Sequence, residues 1–391
     1  MAIAMAKGKP DRPPLMCQLA LGHYFLNTEL DQIEIWHDSD AFAEALVTLQ
    51  RRYGFDGILV NLPGRDPQWR SHIRDIKKDS SGTRTVKWSD GSLTTAPPDD
   101  NPHVRPATVD TSPVPFDRVD PEALFYVEPH DLSGVTYPYS WGFSGEKAPV
   151  GEPDFFPQYS CNTLRRVRDV AGSDVSLHAE IFSPFTQLME LVGYAEALMA
   201  LALDEGKCLA ILDRLADGAT CLASLYAKED VDAILVSSAF VGAGFISRAH
   251  YETFEAPFLR RIAAGVRSVR SELPVYVHTC GAIGDRLDLM EATGIDGIDT
   301  LDPPPLGTVD LEDALRILDR RVFIKGNIDP VNTMLNGTPD DVRQAALERL
   351  RLAAPGGAYI LSTACSVPPA APVANMMALR EAVEEYVQEG G

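Results

Sequence analysis

The run His278-Thr279-Cys280-Gly281 places an imidazole and a thiol two positions apart. On an extended strand, residues i and i+2 project from the same side, so His278 and Cys280 are expected to stand next to each other. A second thiol, Cys365, follows another apolar run in Ser362-Thr363-Ala364-Cys365-Ser366-Val367-Pro368-Pro369. One nitrogen and two sulfurs make a soft donor set that favours zinc, and a catalytic zinc keeps one position for an exchangeable ligand. Glu180, closing Val175-Ser176-Leu177-His178-Ala179-Glu180, is expected to be that labile fourth ligand; capping a helix or pairing with an arginine is the structural alternative. Asp299, Asp302, Asn327 and Asp329 sit at or near the ends of two further apolar runs, where each can orient a substrate. Asp302 precedes three prolines and Asp329 precedes Pro330, positions that equally suit turn shaping. Glu180, Asp302 and Asn327 are therefore the expected catalytic groups, beside His278, Cys280, Cys365 and Glu180 as metal ligands.

Other chemically suggestive residues have plainer readings. Cys17, Cys161, Cys208 and Cys221 lack comparable company and read as small buried hydrophobes. His23, His178 and His250 read as structural or exposed. Val241-Gly242-Ala243-Gly244 lacks the third glycine of a phosphate-binding fingerprint and reads as a tight turn. Trp69, Trp88 and Trp141, with Phe155, Phe156 and Tyr159 close behind, suit either an apolar pocket or a small aromatic core.

The elements that would position these groups are short apolar runs alternating with segments of helical period, the pattern of parallel strands joined by crossover helices. Eight runs stand out: 15–20, 57–61, 175–180, 233–237, 275–278, 297–301, 322–326 and 358–362. Leu311, Ala314, Leu315 and Leu318 fall at helical spacing behind Asp310 as a cap, and Thr338-Pro339-Asp340-Asp341 reads as a capped helix start. Eight strand–helix units predict an α/β chain folded as a (β/α)₈ TIM barrel, in which sites are built at the strands' C-terminal ends. A doubly wound open sheet is the competing architecture. Residues 62–160, rich in proline and containing the hairpin-like Thr83–Trp88 run before Asp90-Gly91, read as a long insertion after the second strand. Residues 1–14 read as a disordered arm, leaving 15–391 as a single barrel domain.

The chain has 35 Lys+Arg against 56 Asp+Glu, a net charge of −21, which disfavours nucleic acid and anionic lipid as partners. It shows neither a membrane span nor an apolar leader, so a cytoplasmic location is expected. Six cysteines are too sparse for a disulfide framework.

Several motifs together resemble the uroporphyrinogen decarboxylase superfamily, in particular its zinc-dependent corrinoid methyltransferases. They are Pro184-Phe185-Thr186, His278-Thr279-Cys280-Gly281, Gly326-Asn327-Ile328-Asp329-Pro330, and Cys365-Ser366-Val367-Pro368-Pro369 leading to Pro372. The resemblance runs from about residue 14 to the end and is thinnest over the insertion. It implies a (β/α)₈ barrel. True decarboxylases of this group carry an arginine-rich segment after the first strand, an Asp after the second and a His after the eighth, where this chain has Gln18-Leu19-Ala20-Leu21-Gly22-His23, Asn61 and Cys365. The methyltransferase pattern of His-x-Cys with a distant Cys matches His278, Cys280 and Cys365. What the resemblance implies is methyl transfer between a small donor or acceptor, among them methoxylated aromatics in O-demethylation, or a thiol, and a corrinoid (cobalamin) carried by a partner protein. Tetrapyrrole decarboxylation, and a non-catalytic zinc- or corrinoid-binding role, are the alternatives.

Overall fold

A computed structural model describes residues 1–105, 114–128 and 155–391. In chain order the strands are β1 (Gly57–Val60), four strands of the inserted segment, β2 (Ile73–Lys78), β3 (Arg84–Trp88), β4 (Leu93–Ala96) and β5 (His103–Arg105), then β6 (Ser176–Phe182), β7 (Ala233–Ser237), β8 (Val275–Thr279), β9 (Gly297–Thr300), β10 (Phe323–Ile328) and β11 (Tyr359–Thr363). The sheet β1-β6-β7-β8-β9-β10-β11 is parallel throughout and follows chain order with helices between the strands, so the open-sheet alternative falls away.

The expected first strand, 15–20, is the irregular eighth stave. Met16 N–H donates to the Leu361 carbonyl at 3.0 Å and Asp56 N–H to the Leu15 carbonyl at 2.8 Å, so this segment touches β11 on one side and the start of β1 on the other. It forms isolated parallel bridges, Leu15 with Leu361 and Leu19 with Val367, rather than a continuous ladder. The α/β TIM-barrel-like class expected from the strand count is what the chain adopts.

Two helix starts show how local sequence sets these elements. Asp310 accepts from Asp313 N–H and opens the helix Leu311–Leu318; Thr338 and Asp341 form a reciprocal capping box ahead of Pro339–Ala353. In the insertion, β3 and β4 pair antiparallel as a hairpin, with Gly91 at positive φ in the connecting turn.

Residues 1–14 correct the expectation of a disordered arm. Ala2–Met5 is a helical turn, and Ala4 and Met5 pack with Met16, Leu59, Leu235, Tyr276, Phe323 and Ile360, the apolar residues at the barrel floor. Burial of these two side chains outweighs the polar Lys-Gly-Pro composition of the segment. Among the described residues no helix is long and apolar enough to cross a membrane.

Candidate metal centre

β8 ends at Thr279, so His278 and Cys280 leave the strand on its C-terminal side; Cys365 lies two residues beyond the end of β11. The turn after β8 is possible because Gly281 takes φ +79. Thr363 Oγ1 donates to the Cys365 carbonyl and Ala364 N–H to the Ile328 carbonyl, which fixes the Cys365 turn against β10. The three side chains then meet. Cys280 Sγ lies 3.3 Å from His278 Nε2 and 3.3 Å from Cys365 Sγ, and Cys365 Sγ lies 3.9 Å from His278 Nε2. All three donor atoms fall within 4.8 Å of one another, the single such cluster of His, Cys, Asp and Glu among the described residues. His278 is buried, whereas both cysteines are only partly covered.

The electrostatics suit a cation. The sulfurs share a hydrogen bond that raises the pKa of Cys280 and lowers that of Cys365. Burial disfavours an imidazolium at His278, yet hydrogen bonds to Asp299 and Cys365 push it up to about 10. Both effects are those of a soft donor cluster that binds either protons or a metal. Glu180 supplies a further sign of fit: it is buried, its Oε2 has no hydrogen-bond partner, and burial pushes its carboxyl up to about 7. Its charge interacts with His278, but its oxygens lie outside the three-donor cluster.

Asp302 accepts a hydrogen bond from Gly281 N–H, tying the end of β9 to the turn that carries Cys280; burial raises its carboxyl to about 6. Asn327, buried in β10, donates from Nδ2 to the Leu301 carbonyl at 2.9 Å and leaves Oδ1 without a partner. Asp329 bonds Val331 N–H, Asn332 N–H and the Asn332 side chain, so the turn-shaping reading applies to it. The Val241–Gly244 segment is a tight turn with Phe245 N–H on the Gly242 carbonyl, and a Cβ at Gly242 would come within 2.8 Å of the Cys280 carbonyl. His23 is tied to Tyr53 and the Pro369 carbonyl, and His178 to Ser176 and Tyr276, as structural histidines.

Among the buried charges that the sequence reading passed over, two interact with residues it had singled out. Lys325 in β10 pairs with Asp299, and the signal was available: a lysine inside the apolar run Val322–Gly326 must be paired if the strand is central. Glu128 is buried in the insertion, which pushes its carboxyl up to about 8; its charge interacts with Glu180 and Arg65. Nothing around it in the sequence distinguishes it from a surface loop acid.

The aromatic segment resolves differently. Trp69 and Trp88 are buried against each other and against His37, with ring centroids 5.5 and 4.8 Å from the imidazole, and Trp88 Nε1 bonds Thr94. Phe155 meets Phe125 edge to face and Phe156 lies tilted against it. Trp69, Trp88, Phe125 and Phe156 are thereby part of the apolar core they share with barrel residues, and Phe155 packs against it. Trp141 lies outside the described residues.

A parallel α/β barrel whose strand ends gather one imidazole and two thiols defines a class of barrel proteins with a soft metal-type centre at the catalytic face. Within it, the chain belongs to the uroporphyrinogen decarboxylase (URO-D) family, whose model matches residues 149–386. Relatives of two kinds align. A uroporphyrinogen decarboxylase of Prochlorococcus marinus (strain MIT 9211) is 30% identical over 237 residues, 58% of this chain and 64% of that protein. The methylcobamide:CoM methyltransferase MtbA of Methanosarcina acetivorans is 26% identical over 215 residues, 55% of this chain and 60% of that protein. Both alignments span less than two thirds of the relative's length. The solved structure of a methyltransferase from Methanosarcina mazei superposes with a TM-score of 0.67, covering 99% of this chain and 97% of that one at 17% identity, which supports the shared fold.

Proposed function

We propose that this chain is a zinc-dependent methyltransferase that moves a methyl group between a small substrate and the corrinoid of a partner protein. The observation that carries the reading is the convergence of His278, Cys280 and Cys365 at the mouth of the barrel. These three residues would hold zinc. When bound, zinc supplies Lewis acidity, which lowers the pKa of a substrate thiol or makes an ether oxygen a better leaving group.

The chain's own groups do the remaining work. Glu180 Oε2, buried without a partner and with its carboxyl near neutrality, is placed to hold or yield a proton as a substrate thiol or hydroxyl enters, and is the candidate for the exchangeable fourth position. Asn327 Oδ1 can accept from a substrate donor, and Asp302 holds the Cys280 turn through Gly281. Thiols and methoxylated compounds are both fitting substrates. The aromatic preference within O-demethylation loses its main support, because Trp69 and Trp88 are buried in the core shared with the barrel. Decarboxylation of uroporphyrinogen, the activity named for one set of relatives, is disfavoured by Gln18, Asn61 and Cys365, which offer neither the cations nor the acid for a poly-carboxylated tetrapyrrole. The proposed setting is the cytoplasm, with a separate corrinoid protein as partner.

The test is an absorbance assay of free cobalamin with the zinc-loaded chain. Methylcobalamin with coenzyme M or another small thiol is expected to lose its methyl group, or reduced cobalamin with a methoxylated donor to gain one. Failure of every donor and acceptor with zinc in place would leave a binding role; appearance of coproporphyrinogen from uroporphyrinogen at enzymatic rates would replace the reading with decarboxylation.

A further inference from the structure

A charged row crosses three neighbouring strands of the barrel. The register pairs His278 on β8 with Asp299 on β9, and Asp299 with Lys325 on β10. Strand alternation turns all three side chains to the same face at one level. Lys325 Nζ donates to Asp299 Oδ1 and Oδ2, each at 3.0 Å, and Asp299 Oδ2 lies 3.3 Å from His278 Nδ1. Thr300 N–H donates to Asp299 Oδ1 at 2.9 Å. The side chains of Lys325 and Asp299 are each 2% exposed.

A barrel layer is ordinarily filled by branched aliphatic side chains, and a buried ion pair of this kind is often no more stable than the apolar residues that could replace it. Its value must therefore be sought in orientation. A carboxylate engaged by an ammonium is an acceptor only, so the bond to His278 requires a hydrogen on Nδ1. The lone pair of the neutral ring is then left on Nε2, the nitrogen that faces Cys280 Sγ and Cys365 Sγ.

We propose that the Lys325–Asp299 pair is the positioning device of the metal centre: the ammonium locks the carboxylate, and the carboxylate locks the His278 ring with Nε2 toward the two sulfurs. The inference rests on the zinc reading above. Lys325 and Asp299 act through His278 and are positioning residues, comparable to the outer carboxylates that orient metal-binding imidazoles in general.

The experiment compares the wild-type full chain with the double variant Lys325→Met/Asp299→Asn, which removes both charges together and so strands neither. Zinc content is measured first, then the rate at which zinc passes to a chromogenic chelator, with circular dichroism and thermal melting as controls of folding. The wild type is expected to hold about one zinc, and the double variant, with wild-type dichroism, to release it about 10- to 100-fold faster. Release at the wild-type rate overturns the inference while leaving the zinc reading intact; a wild type that holds no zinc overturns both. If the double variant does not fold, nitrogen-15 NMR of the zinc-loaded wild type decides. A His278 ring protonated at Nδ1 supports the proposal, and one protonated at Nε2 overturns it.

Discussion

The strand ends bearing His278, Cys280 and Cys365 and the insertion bearing Trp69 and Trp88 are the two regions whose residue types most suggest chemistry, and they behave in opposite ways. At the strand ends, residues distant in sequence are brought together with donor atoms left facing one another and both cysteines partly uncovered. In the insertion, aromatic residues close on one another and on His37 until nothing of Trp88 is exposed. The difference comes from what surrounds each group. A regular barrel satisfies its own backbone and can hold polar side chains at an open mouth; a small inserted sheet is held by packing its large apolar side chains into the core it shares with the barrel.

The widest separation between the regions is expected from substitution of the donors. Cys280→Ala and Cys365→Ala should each lower zinc from about one equivalent to less than about a tenth, since two remaining donors hold zinc poorly, with little change in dichroism. Elemental analysis of purified protein measures this. Full retention by both variants would break the comparison at its stronger end.

Trp88→Ala tests the other region. Loss of a fully buried indole and its bond to Thr94 should cost about 3–5 kcal/mol of stability, with zinc content unchanged. Urea titration supplies the first quantity; zinc loss in parallel with stability would show that the insertion and the centre are one cooperative unit.

A pH series sharpens the contrast further. Glu255, fully buried and hydrogen-bonded by Ser238 just past the β7 end, has its carboxyl raised by burial from 4.5 to about 7. The native state keeps a proton that the unfolded chain gives up above its ordinary value. Stability therefore falls as pH rises from about 4.5 to about 7 and levels off above that, by roughly 3 kcal/mol for this group. Glu255→Gln should remove that part of the slope and leave the variant the more stable protein at pH 8. Denaturation at pH 5 and pH 8 gives the answer; identical slopes in the two proteins would contradict it.

The smallest effect on metal content is expected from Glu180→Gln. With His278, Cys280 and Cys365 intact, zinc should remain near one equivalent while the Michaelis constant or turnover changes several-fold. Unchanged kinetics would remove Glu180 from the site.

These regions also mark what sequence can convey. The strands were legible because apolar runs bounded by turns map onto a repetitive sheet: 233–237 is β7 to the residue, and others differ by one or two positions at their ends. His278 and Cys280 were legible because strand periodicity fixes their shared side, and Cys365 because strand order brings β11 back toward β8 through the closed barrel. The fate of the tryptophans was not, since whether a ring lines a pocket or fills a core depends on contacts such as His37 with Trp88 that follow no local period. The first fourteen residues were misjudged for a related reason. Their composition is that of a loop, but Ala4 and Met5 meet an apolar floor built from strands far along the chain. Lys325 lay between the two cases, visible as an anomaly in an apolar strand yet without a partner until the register brought Asp299 beside it.

The irregular eighth stave has a consequence for how the protein is made. Leu15 can pair only when Leu361 exists, and Cys365, two residues past the end of the same closing strand, is synthesised 85 residues after Cys280. At ordinary ribosomal speeds the imidazole and first thiol wait roughly 4 to 17 s for the second. Ring closure and completion of the donor set are thus one event in the life of the nascent chain, and a polypeptide cut short before that strand would leave the ribosome both unsealed and unable to assemble all three donors.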